Sequence, residues 1–221
     1  MKKRFPSNIV MIAFCVALGT QVTRAQVPSP VVDPQGDALD VLSLGGPLID
    51  IDTIDITFDA TNLFFSISFH TPILPPQSGL PNSIFGILEL DTDQNVATSI
   101  PGAPAQNTVS PPFPFVTMGT DFGISFDPGN TIGFARLFDS AGFDTDVPVT
   151  YGPNGVNGTV PLSALGGDDG LLHYTYVGGN GVGNLTDALD QVGVSVPEPA
   201  SVVTLLTGCG LVLARRPRRG R

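Results

Sequence analysis

The sequence predicts an all-β fold, an antiparallel β-sandwich of jelly-roll-like topology, flanked by an N-terminal signal peptide and a C-terminal hydrophobic helix. Three observations lead there. Short apolar runs alternate with polar residues at period two, the spacing that puts one face of a strand on a core. No stretch of the body sustains a helical period beyond about ten residues. The chain has 26 Gly and 21 Pro in 221 residues, and clusters of Gly, Pro, Asn and Asp separate the runs, where turns are needed.

The chain opens with Lys2, Lys3 and Arg4, continues through an apolar stretch from Ile9 to Leu18, and reaches Thr23-Arg24-Ala25. A basic start, a short apolar segment and a small-x-small site form the pattern of a secretory signal peptide, so residues 1–25 are expected to be cut off before Gln26. The apolar stretch is too short to span the roughly 30 Å of bilayer hydrocarbon.

The clearest strands follow. Ile54-Asp55-Ile56-Thr57-Phe58 and Leu63-Phe64-Phe65-Ser66-Ile67-Ser68-Phe69 alternate on both sides of Asp59-Ala60-Thr61-Asn62, which predicts a hairpin. Further strands are expected at 83–90, 122–126, 131–138, 147–151, 159–162 and 171–177. The Pro- and Ala-rich segment 101–114 is expected to be a surface loop. Gly178-Gly179-Asn180-Gly181-Val182-Gly183 has neither the Lys nor the helix of a phosphate loop and reads as a flexible turn. About eight short strands with turns between them make one sandwich domain over residues 26–195.

Charge narrows the function classes. The chain carries −10 at pH 7, but nine of its ten basic residues lie near the ends. Between Gln26 and Pro199 stand 18 Asp and two Glu against Arg136 alone. Nucleic-acid binding requires Lys and Arg to displace phosphate counterions, so a nucleic-acid partner is excluded for this domain. The two cysteines, Cys15 and Cys209, both fall in the end segments. The domain between them therefore has no disulfide, thiolate nucleophile or Cys-ligated zinc.

At the far end, Val196-Pro197-Glu198-Pro199 leads into an apolar run from Ala200 to Ala214 and then Arg215-Arg216-Pro217-Arg218-Arg219. As a helix the run would be about 22 Å long, a marginal span, with the arginines held on the cytoplasmic side. Pro197, Glu198 and Pro199, the apolar helix, and Arg215 and Arg216 resemble the PEP-CTERM sorting signal of exported bacterial proteins. The resemblance covers residues 196–221. It implies export across the inner membrane, transient insertion through the C-terminal transmembrane helix, and recognition of the tail by a membrane-embedded exosortase. Release to the cell surface or to an extracellular, exopolysaccharide-containing matrix would follow. The other reading of these residues is a retained C-terminal anchor.

The body is similar to exported β-sandwich domains related to the DOMON and family-nine carbohydrate-binding modules. The similarity lies in Asp33-Pro34-Gln35-Gly36-Asp37, Ile54-Asp55-Ile56, the run Phe58 to Phe65, Leu90-Asp91-Thr92-Asp93-Gln94-Asn95, Gly119-Thr120-Asp121-Phe122 and Val160 to Gly170. It implies a non-catalytic binding or structural domain, with exopolysaccharide or another matrix polymer as partner. The chain departs from the sugar-binding pattern in having no Trp and only Tyr151, Tyr174 and Tyr176.

Clustered Asp is best matched by calcium, which takes six to eight hard oxygen ligands from flexible loops. Asp91, Asp93 and Asn95 place oxygens at alternate positions, and Asp144, Asp146 and Asp168 stand in similar short fragments. These six are the candidate calcium ligands. Val96 and Gly102 occupy the positions where a helix-loop-helix calcium site needs Gly and Glu. Asp is also a common turn former, so the same residues serve turns without an ion. Zinc would need His70 and His173 to meet, and neither belongs to a local His pair. Ser163, Asp168 and His173 lack the glycine-flanked elbow of an acyl hydrolase, and nothing marks an acid–base carboxylate pair. The expectation is a non-enzymatic exported surface or matrix protein, with a secreted hydrolase acting on matrix glycans as the alternative.

Overall fold

The computed structural model describes residues 26–40, 43–77, 79–95, 97–98, 118–166, 171–189 and 192–195. The predicted signal peptide, the 101–114 loop, Asp168 and the C-terminal sorting segment lie outside them. The described residues form strands and no α-helix. In chain order the strands are β1 (Gln26–Pro28), β2 (Val31–Val32), β3 (Ile51–Phe58), β4 (Asn62–Phe69), β5 (Ile84–Asp91) and β6 (Phe122–Phe126). They continue with β7 (Phe134–Asp139), β8 (Asp144–Gly152), β9 (Gly155–Pro161), β10 (Leu172–Asn180), β11 (Asn184–Ala188) and β12 (Val192–Ser195), with one 3-10 turn at Leu162–Leu165.

The predicted hairpin is β3–β4, registered through Ile56↔Phe65 and Phe58↔Leu63. Its turn is made by Asp59, whose Oδ1 accepts the N–H groups of Thr61 and Asn62, both at 2.7 Å. The bond from the Thr61 N–H is the main cause holding this carboxyl below its ordinary pKa. The alternating side chains Ile54, Ile56, Leu63, Phe65, Ile67 and Phe69 are all buried.

The strands form one sheet in the order β1-β12-β10-β5-β6-β7-β8-β9-β4-β3-β2, with β11 added to β10. Neighbours are antiparallel apart from β1 and β12. The sheet turns its corner within β8, where Asp144 to Pro148 pair with β7 and Val149 to Gly152 pair with β9. It thereby curls back until β3 and β4 face β6 and β10. Phe65 meets Phe126 edge-on at 6.2 Å, Phe69 meets Tyr176 at 6.3 Å, and the Tyr174 hydroxyl donates to the Ile54 carbonyl at 3.3 Å. The two layers expected from the sequence are thus halves of one continuous sheet that nearly closes as a barrel.

The segment 178–183 is not simply a turn. Gly178, Gly179 and Asn180 are the end of β10, and only Gly181 to Gly183 turn the chain into β11. A Cβ on Gly179 would lie 1.8 Å from the Asn184 carbonyl oxygen, so the glycine permits the close approach of β11 at a bulge. That approach positions Asp187.

Candidate metal centre

Four carboxylates from three separate parts of the chain converge beside β3. Asp33 follows β2, and its N–H donates to the Asp52 carbonyl at 2.9 Å, which lays the Asp33–Asp37 loop along the start of β3. Gly36 takes φ +90°, a conformation glycine adopts without strain, and its N–H donates to Asp50 Oδ2 at 2.8 Å. Asp187, on β11, accepts the Ile51 N–H at Oδ2 (2.7 Å) and the Ala188 N–H at Oδ1 (2.8 Å). One oxygen from each of Asp33, Asp37, Asp50 and Asp187 lies within 4.8 Å of all the others. Asp33, Asp50 and Asp187 are 3%, 7% and 3% exposed, and Asp37 is half-buried.

So much buried negative charge is costly. Two like charges about 5 Å apart repel by roughly 3 kcal/mol at an effective dielectric near 20. Asp187 shows the strain on the ionised form: burial pushes its pKa up to about 7, the charges of Asp37 and Asp50 add to the rise, and the Ile51 and Ala188 N–H groups oppose it. Asp50 Oδ1 is buried with no hydrogen-bond partner. Arg136, the one Arg or Lys between Gln26 and Pro199, is engaged elsewhere, its Nε 2.9 Å from Asp144 Oδ1. The cluster has two remedies, a proton or a cation.

The geometry accommodates a cation. Oxygens on one calcium ion lie about 2.3–2.6 Å from it, so two of them stand at most roughly 5 Å apart, and the four Asp oxygens meet that limit. The donor set is oxygen alone, without imidazole or thiolate, which suits hard cations. These buried acidic residues could hold a metal ion.

Asp91 and Asp93 also enter a carboxylate group, completed by Asp121, with one oxygen from each within 4.8 Å of the others. Asp91 ends β5 and is buried, Asp93 is exposed, and Asp121 stands half-buried just before β6. Burial raises the Asp121 pKa, and the charge of Asp93 adds to it, against hydrogen bonds from Thr92 and the Asp93 N–H. Asn95 shapes the loop beside the group: its N–H donates to Asp93 Oδ1 at 2.8 Å, and its Oδ1 accepts the Ala97 N–H at 3.1 Å.

Asp144 and Asp146 are not brought into a carboxylate group among the described residues. Both side chains are exposed on β8, two residues apart, opposite β7. Asp144 is held by Arg136, and Asp146 is the register partner of Arg136. Asp168 and the sorting residues Pro197, Glu198, Pro199, Arg215 and Arg216 lie outside the described residues. His70 sits 3.8 Å from Asp52 and His173 3.8 Å from Asp91. Glu89 is fully buried on β5 and accepts the Thr120 hydroxyl at 2.9 Å.

Asp33, Asp37, Asp50 and Asp187 were not among the residues singled out as ligands from the sequence. Asp33-Pro34-Gln35-Gly36-Asp37 carried a local signal, two acids around a Gly that can turn back on itself. Asp187 carried none, since only the β10–β11 pairing brings it there. No family model matches the chain, and no curated protein matches it either.

Proposed function

We propose that the chain is an exported, non-enzymatic protein whose jelly-roll-like β-sandwich domain is stabilised by calcium and acts at the cell surface or in an exopolysaccharide matrix. The observation that carries the calcium reading is the cluster of Asp33, Asp37, Asp50 and Asp187, in which three carboxylates are at least nine-tenths buried and Asp50 Oδ1 has no donor. Calcium matches it better than magnesium. Calcium accepts irregular sets of six to eight oxygens, whereas magnesium demands a near-ideal octahedron and retains its waters. The ion would tie the Asp33–Asp37 loop, the start of β3 and β11 together, as a disulfide would in a domain that had cysteines.

Export is supported by the sequence at both ends and by the acidic body, with its single Arg and no Lys between Gln26 and Pro199. An acidic coat suits hydration and calcium-bridged contact with polymer carboxylates, the setting in which an exosortase-processed protein would work. A glycan hydrolase would need a general acid and a second carboxylate flanking a substrate cleft; here the clustered carboxylates converge on points between themselves.

Thermal melts of the purified chain in calcium and in EDTA test the calcium reading. At calcium a thousandfold above Kd the expected gain is about 4 kcal/mol, and coincident melts would overturn it. Intact-mass analysis of protein from the native host's medium tests export. Termini near Gln26 and between Pro197 and Ala200 support it, and a retained Arg-rich tail contradicts it.

A further inference from the structure

We infer that Asp91, Asp93 and Asp121 hold a second divalent cation, independent of the four-carboxylate centre and open to solvent. Their ligand oxygens lie within 4.8 Å of one another, the span that a single calcium ion bridges. A second observation points to a ligand. Asp91 is 1% exposed and its Oδ2 accepts the Gly119 N–H at 3.2 Å, while its Oδ1 is buried and accepts nothing. A buried carboxylate oxygen without a donor is unfavourable, and a cation removes that cost.

The loop is shaped around the group. Asp121 Oδ2 accepts the Thr92 N–H and hydroxyl, both at 2.9 Å, and the Asp93 N–H at 3.2 Å. Asp93 is held by the Asn95 N–H at 2.8 Å and by the Thr98 hydroxyl, 3.0 and 2.9 Å from its two oxygens. The His173 ring, its Nδ1 3.8 Å from Asp91 Oδ2, lines the same side. Because Asp93 is exposed, the ion keeps water on its outer face. It exchanges readily, and its open positions are available to carboxylate or hydroxyl oxygens of a polymer.

The two sites are well separated along β10. Asp91 is opposite His173 and Asp187 is opposite Gly178, five residues on, or roughly 17 Å at the strand rise. That exceeds the Debye length of about 8–10 Å at ordinary salt, so each site can be emptied without the other.

Equilibrium dialysis with calcium at pH 8 tests this. The wild-type chain should bind two ions, and the Asp93→Asn/Asp121→Asn variant one. The single Asp93→Asn change, at an exposed side chain that leaves the fold intact, should weaken the second ion about tenfold or more. Either variant binding as many ions as tightly as the wild type would overturn the inference. The Asp50→Asn/Asp187→Asn variant separates the two claims. If it retains the wild-type count while the Asp93/Asp121 variant loses an ion, the second site stands and the four-carboxylate centre falls.

Discussion

Replacing Asp187 with Asn should reverse its effect on stability between calcium-free and calcium-loaded protein. Without metal, the folded-state pKa of Asp187 is raised to about 7 from 3.8. Ionising it therefore costs more in the folded chain than in the unfolded one. The difference of about three pH units corresponds to on the order of 4 kcal/mol, present below about pH 4 and lost once the pH has risen through 7. Asn is neutral throughout and escapes that loss. Its NH2 must, however, face either the Ile51 or the Ala188 N–H, both of which donate to Asp187, and one bond to a charged acceptor, about 1.5–3 kcal/mol, disappears. At pH 8 in EDTA the variant should then be more stable by about 1–3 kcal/mol, and at roughly 2–4 °C per kcal/mol its Tm higher by about 2–12 °C. In saturating calcium the wild type gains about 4 kcal/mol, while the variant, missing one of four carboxylates, gains far less and falls below it. Circular-dichroism melts under the two conditions decide. A variant less stable than wild type in EDTA, or an equal calcium shift in both, would mean that Asp187 is neither the strained group nor a ligand.

Other outcomes follow from the same geometry. Wild-type Tm in EDTA should fall as pH rises from 5 to 8 through the Asp187 titration, and calcium should flatten that slope; melts at four pH values measure both. A Cβ at Gly158 would sit 2.3 Å from Phe65 Cζ, and that ring packs against Phe126. Gly158→Ala should therefore cost about 1–3 kcal/mol by overpacking, equally with and without calcium, in urea titrations. The Asp144→Asn/Asp146→Asn variant should keep the wild-type calcium count by dialysis and lose at most about 1 kcal/mol, because the Arg136–Asp144 pair is solvent-exposed.

How much the sequence disclosed varied with how local each feature is. The β3–β4 hairpin was legible because one face is buried along its length and Asp59 closes the turn through its own neighbours. The 122–126 prediction coincides with β6. Strand β10 was cut short because it is buried on nearly all sides, so its polar and Gly residues show no alternation; Thr175 and Asn180 are buried among them. β2, with two residues, and β11, whose Asn184, Thr186 and Asp187 are buried, have no period to read. The corner in β8 was invisible because a strand's side chains do not reveal which neighbour it pairs with on each half. Of the carboxylate groups, the Asp91–Asp93 fragment is local and visible in the sequence. Asp121 and Asp187 join their groups through strand pairing across long stretches of sequence.

A calcium-soaked crystal measured for anomalous scattering shows whether Asp33, Asp37, Asp50 and Asp187 share one calcium ion. A calcium peak is expected about 2.3–2.6 Å from an oxygen of each of the four residues. A saturated crystal with only water or empty density at that point would contradict it.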